Sequence, residues 1–164
     1  MAVNRHGSSV HEFPNELEIV TRRKFDAPAE LVYDVLTQPE HIRHWFAPFE
    51  DKVTVCEIDL RVGGDYHIVF VTPEGQECSF RGTYLELERP SRIAQTWWFE
   101  GWGPGTDAVE TDDLTEEEEG VTTLTMSMVF ANAEGRAHMT MTGPDGQGDS
   151  FNKLEDYLRS LLEE

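Results

Sequence analysis

Cysteine is scarce in this chain. There are two, Cys56 and Cys78, with no CxxC pair and no Cys/His spacing of the kind that assembles a zinc centre. Disulfides and a structural metal are therefore not expected to hold the fold, and a reducing, cytoplasmic setting is the expectation. Basic side chains are also few, 13 Lys and Arg against 32 Asp and Glu, and the formal net charge of −19 repels phosphate polyanions and anionic membrane surfaces. Nucleic acid is excluded as a partner on that ground. No apolar run approaches the roughly 20 residues that span a bilayer, and residues 1–16 hold no hydrophobic stretch of the signal-peptide kind, so membrane insertion and secretion are not expected. The glycine clusters at 101–105 and 143–148 contain Pro and do not open a strand-to-helix unit, so they are turns and not dinucleotide fingerprints. No cofactor is expected.

What the chain does hold is enough apolar side chain, 38% of 164 residues, for one core in one domain. Residues 1–16 are polar and aperiodic and read as a disordered leader, leaving 17–164 as the domain. Residues 17–25 alternate as a strand. Asp26 and Pro28 then open a helix with Leu31, Val32, Val35 and Leu36 at helical spacing, and Pro39 opens a second short one carrying Ile42, Trp45 and Phe46. Between 52 and 132 the period changes to two, and five strands are expected, separated by turns at Gly63-Gly64, Pro73-Glu74-Gly75 and Arg89-Pro90. Residues 101–120 hold eight acids and read as a long, solvated, mobile loop. A short helix at 133–141, a glycine break, and a last helix capped by Asp149 or Ser150 with Phe151, Leu154, Leu158 and Leu161 on one stripe complete the chain. The order β-αα-βββββ-α predicts an α+β fold in which a twisted antiparallel sheet of six strands buries its apolar face against the C-terminal helix.

Four stretches carry a family resemblance: Phe25-Asp26-Ala27-Pro28 with Val32 to Val35; Trp45-Phe46-Ala47-Pro48; Ile58 to Tyr66 around Gly63-Gly64; and Phe80-Arg81-Gly82-Thr83-Tyr84 with Pro90 and Arg92-Ile93. They resemble the helix-grip fold of the START/SRPBCC superfamily, which contains the birch-pollen allergen and polyketide cyclases. Within it the chain is most similar to relatives of the C-terminal domain of the activator of the heat-shock-protein-90 ATPase. The resemblance covers about residues 17–162 and implies the fold, while none of its motifs is catalytic.

A helix laid across a curved sheet leaves a hollow unless large side chains fill it. Tyr66, Ile68 and Phe70, Trp97 and Phe99, and Met126 and Met128 are expected to line that hollow from the strands, with Tyr33, Trp45 and Phe46 from the first two helices and Phe151, Leu154 and Leu158 from the last. Gln95 shares the face of Trp97 and is the expected polar handle, partnered by a ligand, water, backbone or a side chain such as Tyr33. Tyr84 shares a face with Glu86 and is expected to point outward. His41 and His44 lie three apart on a helix without a third metal ligand, and Glu116 to Glu119 lack the pattern of a calcium loop, so both read as solvated. No catalytic or metal-binding residue is assigned. The expected function is binding of a small hydrophobic or aromatic molecule, lipid-like or polyketide-like, by a monomer or homodimer. A cofactor-free cyclase or hydrolase using the same hollow is one alternative, and a chaperone-partner domain, implied by the resemblance alone, is another.

Overall fold

Seven antiparallel pairings build the frame of the molecule. The computed structural model describes residues 4–163, with 142–145 as backbone only. The elements run β1 (Val10–Glu12), β2 (Glu18–Phe25), α1 (Ala29–Thr37), α2 (Pro39–Ile42), β3 (Lys52–Ile58), β4 (Asp65–Val71), β5 (Glu77–Glu88), β6 (Arg92–Phe99), β7 (Ala108–Glu118), β8 (Val121–Phe130) and α3 (Ala133–Leu162). One sheet has the order β1-β2-β8-β7-β6-β5-β4-β3. It is open and curled, and α3 lies in its concavity. Phe25, Val32, Val35, Leu124 and Leu154 are completely enclosed between the two, and Phe25 meets Phe151 edge-on at 5.9 Å.

Three expectations are corrected. The sheet has eight strands, not six. The first extra strand, β1, comes from the supposed leader and pairs with β2 through Val10↔Arg22 and Glu12↔Val20. Polar anchors hold this segment down: Arg5 forks onto Asp26 Oδ1 at 3.0 Å, and its amide donates to Glu155 Oε2 at 3.0 Å. Met1 to Val3 of the expected leader lie outside the described residues.

The second extra strand is the acidic stretch itself. β7 runs through residues 108–118 between β6 and β8, with Glu110 opposite both Gln95 and Met128 and Asp112 opposite both Ile93 and Met126. Ala108, Glu110, Asp112 and Leu114 point inward and Val109, Thr111 and Asp113 outward, a regular period of two. Carboxyls at two inward positions hide that period from a hydrophobic pattern. Gly120, at a φ of 81°, supplies the left-handed residue for the hairpin into β8, and its amide donates to Glu116 Oε2.

The third correction is at the C-terminus, where α3 is one helix of 30 residues without a break. Asn132 caps it by accepting from the Gly135 amide at 2.9 Å. Glycine is a weak helix former, about 1 kcal/mol worse than alanine, yet packing decides here. A Cβ on Gly135 would stand 2.8 Å from the Thr106 carbonyl, so glycine lets the helix start against the loop before β7.

Candidate functional site

Strand alternation and one bulge bring the site together. On β4, Tyr66, Ile68 and Phe70 face inward; on β6, Gln95, Trp97 and Phe99; on β8, Met126 and Met128. With Trp45 and Phe46 after α2 and Phe151 on α3, these enclose a hollow of about 440 Å³ between the sheet and the stretch of α3 from Met139 to Phe151. Tyr33, Leu154 and Leu158 fall outside its lining. They are buried where α1 and the C-terminal half of α3 close the other end of the core, because the helix is long enough to span the hollow first and pack solidly afterwards.

The outer part of the hollow is aromatic. Phe80 lies 5.0 Å from Phe99 in a stacked pair and 5.3 Å from Phe46 edge-on, and Trp102 meets Trp97 at 5.7 Å. At the rim, Phe49 is 57% exposed and sits at a φ of 56°, a left-handed conformation that costs a side chain of its size. Polar bonds from α3 hold that segment: the Phe49 amide donates to Asp149, the Lys153 ammonium donates to the Ala47 and Phe49 carbonyls, and Ser150 Oγ donates to the Phe46 carbonyl at 2.8 Å.

The inner part is polar. Tyr66 Oη donates to the Thr96 carbonyl at 2.7 Å, and Gln95 Nε2 lies 3.5 Å from the same hydroxyl. The partner of Gln95 is therefore Tyr66 and not Tyr33. Gly82 makes this possible, since a Cβ there would stand 1.9 Å from the Thr96 oxygen and 2.4 Å from the Tyr66 ring. Tyr84 faces inward as well, 3% exposed and 5.5 Å from the Tyr66 ring, contrary to expectation. The reason is a bulge in β5 between Tyr84, opposite Gln95, and Glu86, opposite Ala94, which breaks the alternation on which the outward assignment rested.

Beside these groups stand Glu110 and Asp112, which the sequence reading placed in a loop. They are 7% and 4% exposed and line the hollow. Burial pushes both carboxyls upward; Asp112 is driven further because the neighbouring Glu110 charge opposes its ionisation, and it gives a hydrogen bond that partly holds Glu110 down. The Tyr66 and Tyr84 phenols are likewise raised, chiefly by burial and further by these carboxyls. Among the described residues lining the hollow there is no Lys, Arg or His. The signal that reveals the pair in sequence is Ala108-x-Glu110-x-Asp112-x-Leu114, a period of two with acids at its centre.

The histidines do other work. His41 is half-buried, its Nδ1 2.6 Å from Tyr157 Oη, whereas His44 stacks on the same ring at 4.7 Å and stays exposed, as a solvated helix face implies. His6, Glu155 and Asp156 bring one ligand atom each within 4.8 Å of the others, but Glu155 is committed to the Arg23 and Arg159 guanidinium groups.

A curled antiparallel sheet gripping a C-terminal helix over an enclosed hollow is the helix-grip architecture of the START/SRPBCC superfamily. Within that class the chain belongs to the family described as Activator of Hsp90 ATPase homolog 1-like protein, whose pattern matches residues 26–159. Protein CV1439 from Chromobacterium violaceum is 31% identical, with a TM-score of 0.72, over 87% of this chain and 96% of its own. Protein NE0264 from Nitrosomonas europaea is 26% identical, with a TM-score of 0.79, over 93% of this chain and 100% of its own. CalU16 from Micromonospora echinospora shares the fold at 24% identity, with a TM-score of 0.62, over 89% of this chain and 78% of its own. No curated protein matches the chain. Among the described residues no helix is long and apolar enough to cross a membrane.

Proposed function

We propose that this is a cytoplasmic binding protein for a small, largely aromatic molecule held between the sheet and the Met139 to Phe151 stretch of α3. The observation that carries the reading is the hollow of about 440 Å³, a size within the usual range for small-molecule sites, with aromatic walls and a few convergent polar groups. The sign of its charged groups narrows the ligand class: Asp51, Glu110 and Asp112 are acidic and no lining group is basic, which disfavours fatty acids and phosphorylated lipids. Native mass spectrometry of the purified chain should reveal a retained small molecule, or uptake of one added aromatic probe per chain. A chain that carries nothing and takes up nothing contradicts the reading.

A second reading, a cofactor-free enzyme of the cyclase or hydrolase type, is favoured by one observation. The adjacent buried carboxyls Glu110 and Asp112 line the cavity and are both pushed upward by burial, and such a pair would supply the acid and base that this chemistry needs. Conversion of a bound carbonyl compound that stops in Glu110→Gln would support it. The activation of the Hsp90 ATPase that the family description names would use an outer surface, whereas the observations on this chain lie inside and favour the hollow.

A further inference from the structure

Two enclosed carboxyl groups face an apolar hollow with no cation opposite them among the described residues. Asp112 is 4% exposed, and its Oδ1 has no hydrogen-bond partner among the described residues; Glu110 stands two residues away on the same inward face. Beyond the one hydrogen bond that Asp112 gives Glu110, the remaining carboxyl lone pairs need donors from within the cavity. Two of the polar neighbours are turned elsewhere: the Tyr66 hydroxyl donates to the Thr96 carbonyl, and the Gln95 amide nitrogen lies beside that hydroxyl. Elsewhere the fold neutralises an enclosed carboxylate directly, as where Arg23 and Arg159 meet Glu155, so a pair left without a cation stands apart.

We infer that Glu110 and Asp112 form a recognition site for an ammonium group carried on an aromatic frame, an inference that rests on the cavity-binding reading above. Three N–H donors of an ammonium match two carboxyl groups better than the single donor of a hydroxyl does, and its charge repays their desolvation. Trp97, Tyr66 and Tyr84, in the same lining, offer ring faces to the cation and apolar surface to its frame. An anionic ligand meets two acids and no base. The interaction forms only N–H···O hydrogen bonds. Because burial pushes both carboxyls upward and the cation favours their ionised forms, ligand entry shifts the pair towards ionisation and releases protons to bulk water. The groups facing the pair are Tyr66 from β4, Tyr84 from β5, Gln95 from β6 and the Met126 and Met128 edge of β8, with Gln147 and Ser150 lining the same hollow from α3, none of them cationic; Asp113, next along β7, points outward and adds only negative charge.

Three probes on one frame test this: 9-(aminomethyl)anthracene, 9-anthracenemethanol and 9-anthracenecarboxylate, titrated by fluorescence and by calorimetry in buffers of different ionisation enthalpy. The amine should bind roughly tenfold or more tightly than the alcohol, and the carboxylate weakest of all. Between about pH 5 and 8 the amine should release protons on binding and gain affinity as pH rises, while the alcohol shows a flat profile. In the Glu110→Gln, Asp112→Asn double variant, the amine's advantage and its proton release should both vanish while the alcohol binds as before; this separates the pair from Asp51 at the rim. Should that variant fail to fold, the proton release by the natural chain still decides. Alcohol binding as tight as amine binding, or amine binding with no proton release at any pH in that range, overturns this inference alone. Failure of all three probes to bind overturns the cavity reading and this inference with it.

Discussion

Asp112 and Glu110 are the residues on which the account depends, and their burial has a consequence for stability that can be measured without any ligand. Both carboxyls lie above their ordinary values in the folded chain, so the folded state holds more protons than the unfolded state through the window above about pH 4. Their contribution to stability is therefore largest at acid pH and is lost as pH rises towards the folded values. Asp112→Asn keeps a donor for Glu110 but removes a charge that burial disfavours, so it should remove that loss and raise stability at neutral pH by about 1 to 3 kcal/mol. Urea melts across pH check this, and a variant less stable than the parent at neutral pH contradicts it. Gly82 provides the steric counterpart. With the Thr96 oxygen 1.9 Å from any added Cβ, Gly82→Ala should cost at least about 1 to 3 kcal/mol and displace the Tyr66 ring, visible as a changed tyrosine environment in near-ultraviolet dichroism.

Among the elements, β7 and α3 carry the contrast between what the sequence shows and what the fold does. β2, β4, β6, β8 and the first helices are legible because apolar residues mark one face of each. β7 is not, because its inward positions include Glu110 and Asp112, and a pattern based on hydrophobicity discards the two residues that matter most for the site. Tyr84 was misplaced by a bulge, a local insertion that no alternation count can locate. The glycines of α3 read as a break because intrinsic propensity is weighed without the sheet beneath them. Two predictions belong at this scale. Replacing residues 108–118 by a short turn removes the strand between β6 and β8 and should abolish cooperative folding, not merely trim a loop. Gly148, with nothing within 4 Å of an added Cβ, should accept alanine with a gain of about 0.5 to 1 kcal/mol, measured as a shift in the denaturant midpoint at unchanged slope.

As a whole, the molecule divides its core by function. Where α1 meets the C-terminal half of α3, side chains such as Val32 and Leu154 are fully enclosed, which closes that end of the curled sheet. Where the Met139 to Phe151 stretch of α3 crosses the sheet, the same curvature leaves a hollow with aromatic walls outside and acids inside. Met128, on the strand beside Glu110, lies at the centre of this division and gives the most direct measurement. Titrating 9-anthracenemethanol into the natural chain should quench tryptophan emission at about one site per chain, since Trp45, Trp97 and Trp102 line the hollow. Met128→Trp should fill the space, weaken that binding strongly and leave stability unchanged or higher, because filling a void lacks the roughly 1 to 3 kcal/mol cost of overpacking a closed core. Lowered stability with unchanged probe binding would show that no ligand space exists at Met128 and would contradict the account.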